Sequence, residues 1–345
     1  MNIVYLIGNG FDVNLGLDTR YTDFYSSYIK ENSQNSKDVI EFKKRLKFDM
    51  ENDKGIKLWK DLEMWLGEDT KNINSIDSLW NIVKDLNDEL KKYLKTQEDK
   101  LDIDDKNIVK LIKDFIHPEK FFDNDKRAQI NSCYRQHDAN NLNFNIMTFN
   151  YTRTLEKIFH YQNEDLLIKD VSIPNVHLNN ICHIHGIVNE QDIIIGVNDP
   201  SQISNTSFKE NPSALDVLVK PHINNEIGNH IIERCYGYIQ NANLICLFGL
   251  SLGDSDKMWW QNLGQILMGN TNVLMIYCVY DDNFSADSHR YEKWKQLREC
   301  KDELCKKLGI PETLQGQVKQ RLYIYYCENL FKINMKSPVN IVPAD

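Results

Sequence analysis

Four short segments of this chain carry residue types that do chemistry at the ends of strands. The first, Gly8-Asn9-Gly10-Phe11-Asp12-Val13-Asn14-Leu15-Gly16, follows directly on the apolar run Ile3 to Ile7. Glycines in a strand-to-helix turn admit positive φ and let backbone N–H groups approach a phosphate at the positive end of a helix. The spacing is G-x-G-x5-G, not the dehydrogenase G-x-G-x-x-G, so alone it also describes a tight turn with no ligand. The second, Thr148-Phe149-Asn150-Tyr151-Thr152, sets an amide at the carboxyl end of a strand, where α/β sheets bind ligands. Asn150 there holds a ribose hydroxyl or a water, or else caps a helix starting at Tyr151. The third is His183-Ile184-His185-Gly186. Positions i and i+2 of a strand share a face, so both imidazoles are expected on one side, with His185 suited to general-base work near neutral pH. Two other readings stand beside it: a hydrogen-bonded structural histidine, or a metal held by the pair with Asp12 or Asp199. The fourth, Phe248-Gly249-Leu250-Ser251-Leu252-Gly253-Asp254, is a second strand-to-helix turn. Ser251 and free N–H groups there would hold another part of a dinucleotide; in an ordinary turn, Asp254 or Ser255 would cap the next helix.

The elements that must position these segments are legible as patterns. Ile3 to Ile7 reads as a strand buried on both faces. Tyr21, Phe24, Tyr25 and Tyr28 recur at helical spacing. Residues 30–140 are lysine-rich and helical in pattern. Leu58, Trp59, Leu62, Trp65 and Leu66 make one stripe, Trp80, Val83, Leu86, Leu90 and Leu94 another, and Ile108 to Ile116 a third helix, with a polar connector over 95–106. This region is read as a helical insertion within one domain spanning 1–345. Strands are expected at 145–149, 181–185, 193–197, 244–248, 273–280 and 322–326. Helices are expected at 152–161, around Ile231, Cys235 and Ile239, around Trp259 and Trp260, and over 289–308. Residues 200–225, with Pro200, Pro212 and Pro221, read as a long loop. Strands alternating with helices predict an α/β fold, a Rossmann-like parallel sheet covered on both faces.

Composition bounds the reading. The chain has 345 residues, 41% of them apolar and 26% charged, with a formal net charge of -9. An acidic chain is not held to nucleic acid by overall charge, so nucleic acid is not expected as a partner. None of the eight cysteines forms a C-x-x-C pair, so no zinc or other metal is expected. The N-terminus lacks a signal-peptide pattern, and no apolar run reaches the roughly 18 residues that span a membrane. A reducing cytoplasm with free thiols is the expected location.

In their order, the four segments resemble sirtuins. Gly8, Gly10, Phe11, Gly16 and Leu17 keep the register of the sirtuin G-A-G-I-S-x-x-x-G-I-P loop. Asn150 stands in an N-Y-D-like motif, His185-Gly186 matches the catalytic H-G, and Gly249 to Leu252 match G-T-S-L. A closer resemblance is to the AbiH family of phage abortive-infection proteins. It is carried by I-G-N-G-F-D-x-x-x-G-L at Ile7 to Leu17, W-x-D-L-E at Trp59 to Glu63, F-N-Y-T-x-x-L-E at Phe149 to Glu156, H-I-H-G at 183–186 and S-L-G-x-x-D at Ser251 to Asp256. The resemblance implies a sirtuin-like site that takes NAD and hydrolyses it to nicotinamide and ADP-ribose. Asn150 and His185 would be catalytic, and Gly8, Asn9, Gly10, Phe11, Asp12, Gly16, Tyr151, Thr152, Gly249, Ser251 and Leu252 would bind the nucleotide. Two further readings of the same residues are a non-catalytic nucleotide sensor and a His-dependent phosphodiesterase or nuclease. Asp12 stands where the sirtuin loop has serine and Thr152 where the motif has aspartate; with the zinc cysteines absent, protein deacetylation is not expected. A phage-derived activator and a homo-oligomeric assembly are the partners the resemblance implies beside the nucleotide.

Overall fold

The computed structural model describes residues 1–30, 36–52, 62–138, 140–188, 193–226, 230–280, 289–326 and 330–333. Its strands are β1 (Asn2–Ile7), β2 (Asn141–Thr148), β3 (Leu166–Ile168), β4 (Asn175–His183), β5 (Leu244–Phe248), β6 (Leu274–Val279) and β7 (Leu322–Tyr326). They form one sheet in the order β3-β4-β2-β1-β5-β6-β7. All neighbours are parallel except β3, which runs antiparallel on the β4 edge. From β1 the chain builds outward to β2 and β4, then returns to β5 on the other side of β1 and continues to β6 and β7. The direction of winding therefore reverses at β1.

β1 shows why the central strands read as unbroken apolar runs. Ile3, Tyr5 and Ile7 enter one core, while Val4 and Leu6 enter another on the opposite face. A strand covered on both sides has no solvent face to mark with polar residues. The first core is closed by the helices Asp105–Ile116 and Asn124–Gln136, whose Phe115 meets Tyr5 edge-on at 4.9 Å. Helices Ile231–Gln240 and Lys257–Gly269 close the second. A third core joins helices between Tyr21 and Glu98 to residues 193–219. The segment read as one insertion over 30–140 thus has two parts: a helical body beside the sheet, and two helices lying on the sheet itself.

Several expectations are corrected. Residues 193–197 form no strand; a single bridge pairs Val197 with Val219. The run is apolar because it is buried among helices, a case that hydrophobicity alone does not separate from a buried strand. The loop expected over 200–225 is largely helical, with helices at Thr206–Lys209, Pro212–Leu218 and Lys220–Glu226. Its prolines sit in first turns, where a helix has no use for the missing N–H, and Asn211 caps the second of these helices by accepting from the Ala214 amide at 3.2 Å. Helix Ile76–Glu98 begins at Ser75, whose hydroxyl accepts from the Ser78 amide, and runs four residues into the expected connector. Its buried stripe uses Leu79 and Ile82, and Trp80 is 54% exposed. Leu58 and Trp59, with the start of the W-x-D-L-E motif, lie outside the described residues. No helix among the described residues is long and apolar enough to cross a membrane.

Candidate functional site

The four chemistry-bearing segments leave the carboxyl ends of β4, β2, β1 and β5, four adjacent parallel strands. Parallel strands that end together deliver their following loops to one edge, and the reversal of winding at β1 parts the helices there. A cavity of about 860 Å³ opens at that edge. Gly8, Asn9, Gly10, Asp12, Asn150, Tyr151, Thr152, His185, Gly249, Ser251 and Leu252 all line it. Phe11 and Gly16 do not. Phe11 is fully buried among Phe115, Phe248 and Phe331, and Gly16, at φ +82°, ends the short helix Gly10–Asn14.

The glycines of the two turns have a reason unrelated to phosphate. The Gly8 amide donates to the Phe248 carbonyl and the Gly10 amide to the Gly249 carbonyl, both at 2.9 Å, and the Phe11 amide turns back to Gly8 at 3.0 Å. A Cβ on Gly8 would stand 2.5 Å from the Gly249 oxygen, and one on Gly10 would stand 2.6 Å from the Gly249 Cα. The turns lie backbone on backbone. The expectation that these amides cradle a phosphate is corrected accordingly, because the neighbouring turn already takes them.

Asp12 is 1% exposed and its carboxylate is filled by hydroxyls. Thr154 Oγ1 donates to Oδ1 at 2.6 Å and Thr152 Oγ1 donates to Oδ2. Burial pushes the Asp12 carboxyl up, and the two hydroxyls and the nearby Asn150 amide work against that shift. Asp12 and Thr152 thus tie the β1 loop to the β2 loop.

Asn150 is not a helix cap, since the helix after β2 starts at Thr154. Its backbone is held at both ends. The amide N–H donates to Thr148 Oγ1 at 3.1 Å, and the carbonyl accepts from His183 Nδ1 at 2.9 Å. Its side chain is 5% exposed and lies beside the Asp12 carboxylate, and among the described residues neither Oδ1 nor Nδ2 meets a partner at good hydrogen-bonding geometry. Buried amides without partners are rare and costly.

The two histidines do not share a face, because β4 ends at His183. His183 reaches the Asn150 carbonyl with one nitrogen and Glu156 Oε1 with the other at 2.7 Å. Both partners accept only, so the ring carries both protons. Burial opposes that charge, but the Glu156 carboxylate and the Asn150 carbonyl raise the His183 pKa above its ordinary value. A raised folded pKa contributes stability in full below the ordinary histidine range and loses it as pH rises through the raised value. Glu156→Gln is therefore expected to cost about 3 kcal/mol near pH 6, with a smaller difference from wild type near pH 9. Urea unfolding at the two pH values measures this, and an equal loss at both would contradict the assignment.

His185 lies in a different environment. Its ring stands between Phe149 and Tyr151, at 5.5 and 6.3 Å between centroids. Nε2 is 3.0 Å from Asp256 Oδ1, off the line of a good hydrogen bond, and Nδ1 has no partner among the described residues. Burial holds the His185 pKa below its ordinary value; the Lys220 ammonium adds to that and Asp256 opposes it. His185 is therefore neutral at neutral pH. Lys220, 4% exposed, bridges Asp256 Oδ1 at 2.9 Å and Glu63 Oε2 at 2.7 Å. Sequence reading quoted Glu63 and Asp256 only as ends of motifs and missed Lys220, which falls where a loop was expected. It also missed Arg20, the one Lys or Arg among the described residues lining the cavity.

A family model described as bacteriophage abortive infection AbiH matches residues 4–277. No curated protein matches the chain.

Proposed function

This chain belongs to the bacteriophage abortive infection family AbiH, and from that premise we propose that the cavity takes NAD+ and hydrolyses it to nicotinamide and ADP-ribose. One observation carries the reading: the buried, unpartnered amide of Asn150 and the neutral imidazole of His185 line the same cavity. Counted along the chain, the parallel strands run 3-2-1-4-5-6, the order of doubly wound dinucleotide-binding sheets, and ligands of such sheets sit where the winding reverses. A volume of about 860 Å³ lies within the range of small-molecule sites.

The chemistry asks for few groups. The bond from the ribose anomeric carbon to the pyridinium nitrogen breaks, and its electron pair neutralises the departing nicotinamide, so no acid is needed at the leaving group. A water oxygen bonds to the anomeric carbon and its proton passes to a base. Asn150 orients that water or a ribose hydroxyl, and His185, held neutral, accepts the proton. Arg20 faces the diphosphate. Glu63 and Asp256 set two carboxylates against the single ammonium of Lys220, a balance that favours a cationic substrate and an oxocarbenium-like transition state. His183, engaged at both nitrogens, is not available as the second histidine of a phosphodiesterase. Such an activity, acting in the cytoplasm, would need restraint, and the helical body beside the cavity is the element proposed to supply it. A phage-derived activator or self-assembly would release it.

The test is purified wild type and His185→Ala incubated with NAD+, with nicotinamide and ADP-ribose followed by chromatography. Product from wild type alone is expected. Binding by calorimetry with no product, in the presence of a phage lysate, would replace the hydrolase with a nucleotide sensor.

A further inference from the structure

His185 has its two ring nitrogens in unlike surroundings, and the difference has a consequence for which of them reacts. Nε2 lies 3.0 Å from Asp256 Oδ1. A nitrogen lone pair at that distance from a carboxylate oxygen is repelled, whereas an N–H is attracted, so the proton of the neutral ring sits on Nε2 and the lone pair on Nδ1. Asp256 can do this only while ionised. Burial would push its proton affinity up, but Lys220 Nζ stands 2.9 Å away and the carboxyl lies well below the usual range. Lys220 in turn is held from the far side by Glu63 Oε2 at 2.7 Å, on helix Leu62–Asp69 of the helical body. Among the described residues Tyr151 is a further titratable neighbour of the ring; its hydroxyl donates to the Ile194 carbonyl at 3.3 Å and is pushed far above its ordinary range by burial, and Phe149 carries no charge.

We propose that Asp256 and Lys220 are positioning residues that fix the Nε2–H tautomer of His185 and leave Nδ1 as the reacting base, with Glu63 anchoring the pair from the helical body. This rests on the hydrolase reading for the word base, but the tautomer and its control do not. The arrangement makes the helical body part of the site: whatever displaces Glu63 loosens Lys220, and with it the orientation and charge of His185. In the acyl-transfer triads a buried carboxylate holds a histidine by one nitrogen for work at the other. Here a lysine additionally keeps the histidine from charging.

The experiment is a histidine ¹⁵N titration of the full chain by NMR, with the His185 resonances assigned from His185→Gln. In wild type the shifts are expected to show protonated Nε2 and bare Nδ1 through neutral pH. Asp256→Asn should lose the tautomer preference and move the His185 titration to lower pH. The paired change Glu63→Gln with Lys220→Gln removes one charge of each sign, so the buried group keeps its net charge and the fold is spared two unpaired carboxylates. It should move the titration to higher pH. Displacements of opposite sign are not produced by a loosened structure. Displacement in one direction in both variants, or an Nδ1–H tautomer in wild type, overturns the proposal. On NAD+, Asp256→Asn should lower kcat by about 10- to 100-fold. If wild type turns over no NAD+ while the titrations behave as stated, the hydrolase reading fails and the positioning assignment stands.

Discussion

Asn150→Ala should remove the proposed NAD+ turnover, by about 10²- to 10⁴-fold in kcat, and should leave the protein about as stable as wild type. The two halves of this expectation come from the same geometry. The backbone of Asn150 is secured by Thr148 and His183 without help from its side chain. The side chain is buried, and among the described residues neither polar atom has a partner at good hydrogen-bonding geometry. Burying an amide with poor hydrogen-bond geometry costs about 1–3 kcal/mol, and the Asp12 carboxylate beside it offsets part of that, so alanine takes little from the fold. Function is the one place where that cost can be recovered, because a bound ribose or water supplies the missing partners. A structural asparagine gives the opposite result: a loss of stability, and a loss of activity only in step with it. Thermal unfolding and steady-state kinetics on one preparation separate the cases, and a variant that melts lower than wild type yet turns over NAD+ normally would end the catalytic assignment.

Gly249→Ala is expected to cost about 3 kcal/mol, lowering the unfolding midpoint by about 6 °C at roughly 2 °C per kcal/mol for a chain of this size. Gly249 has φ +68°, and a Cβ there would stand 2.7 Å from the Phe11 nitrogen and 2.9 Å from two Gly10 atoms. Those are main-chain atoms of the neighbouring turn, which cannot rotate away as a side chain does. The β1 and β5 loops must part, and because both line the cavity, the proposed NAD+ binding should weaken with the fold. Gly316→Ala is the contrasting change. Gly316 lies inside helix Glu312–Lys319 with nothing within 4 Å of its added Cβ, so alanine should stabilise by about 0.5–1 kcal/mol. Calorimetric scans of the two variants compare them directly. If Gly249→Ala melts with wild type, the close packing of the two turns does not hold in solution.

The features legible in the chain are local. Ile3 to Ile7 and Leu244 to Phe248 are strands where the apolar runs place them, because a central parallel strand is buried on both faces and states this in consecutive residues. Gly8, Asn150, His185 and Gly249 stand at strand ends because the turn chemistry and the end of each apolar run are adjacent in the chain. Glu63, too, was marked, but only as the end of a motif with no role attached. The tertiary structure alone decided what meets at the site. Lys220 touches Glu63 from 157 residues away and Asp256 from 36, and no periodicity or spacing connects positions brought together by the packing of a helical body against a sheet edge. It also decided between readings that local pattern leaves equal. Ile193 to Val197 is as apolar as a strand, yet its partners are helices. Gly8 and Gly10 look like a phosphate loop, yet their amides are taken by the Phe248 and Gly249 carbonyls. His183 and His185 sit two apart, yet β4 ends between them, so one ring is an imidazolium holding the Asn150 backbone and the other is neutral in the cavity. Burial and charge act through space, and only the folded chain sets the distances over which they act.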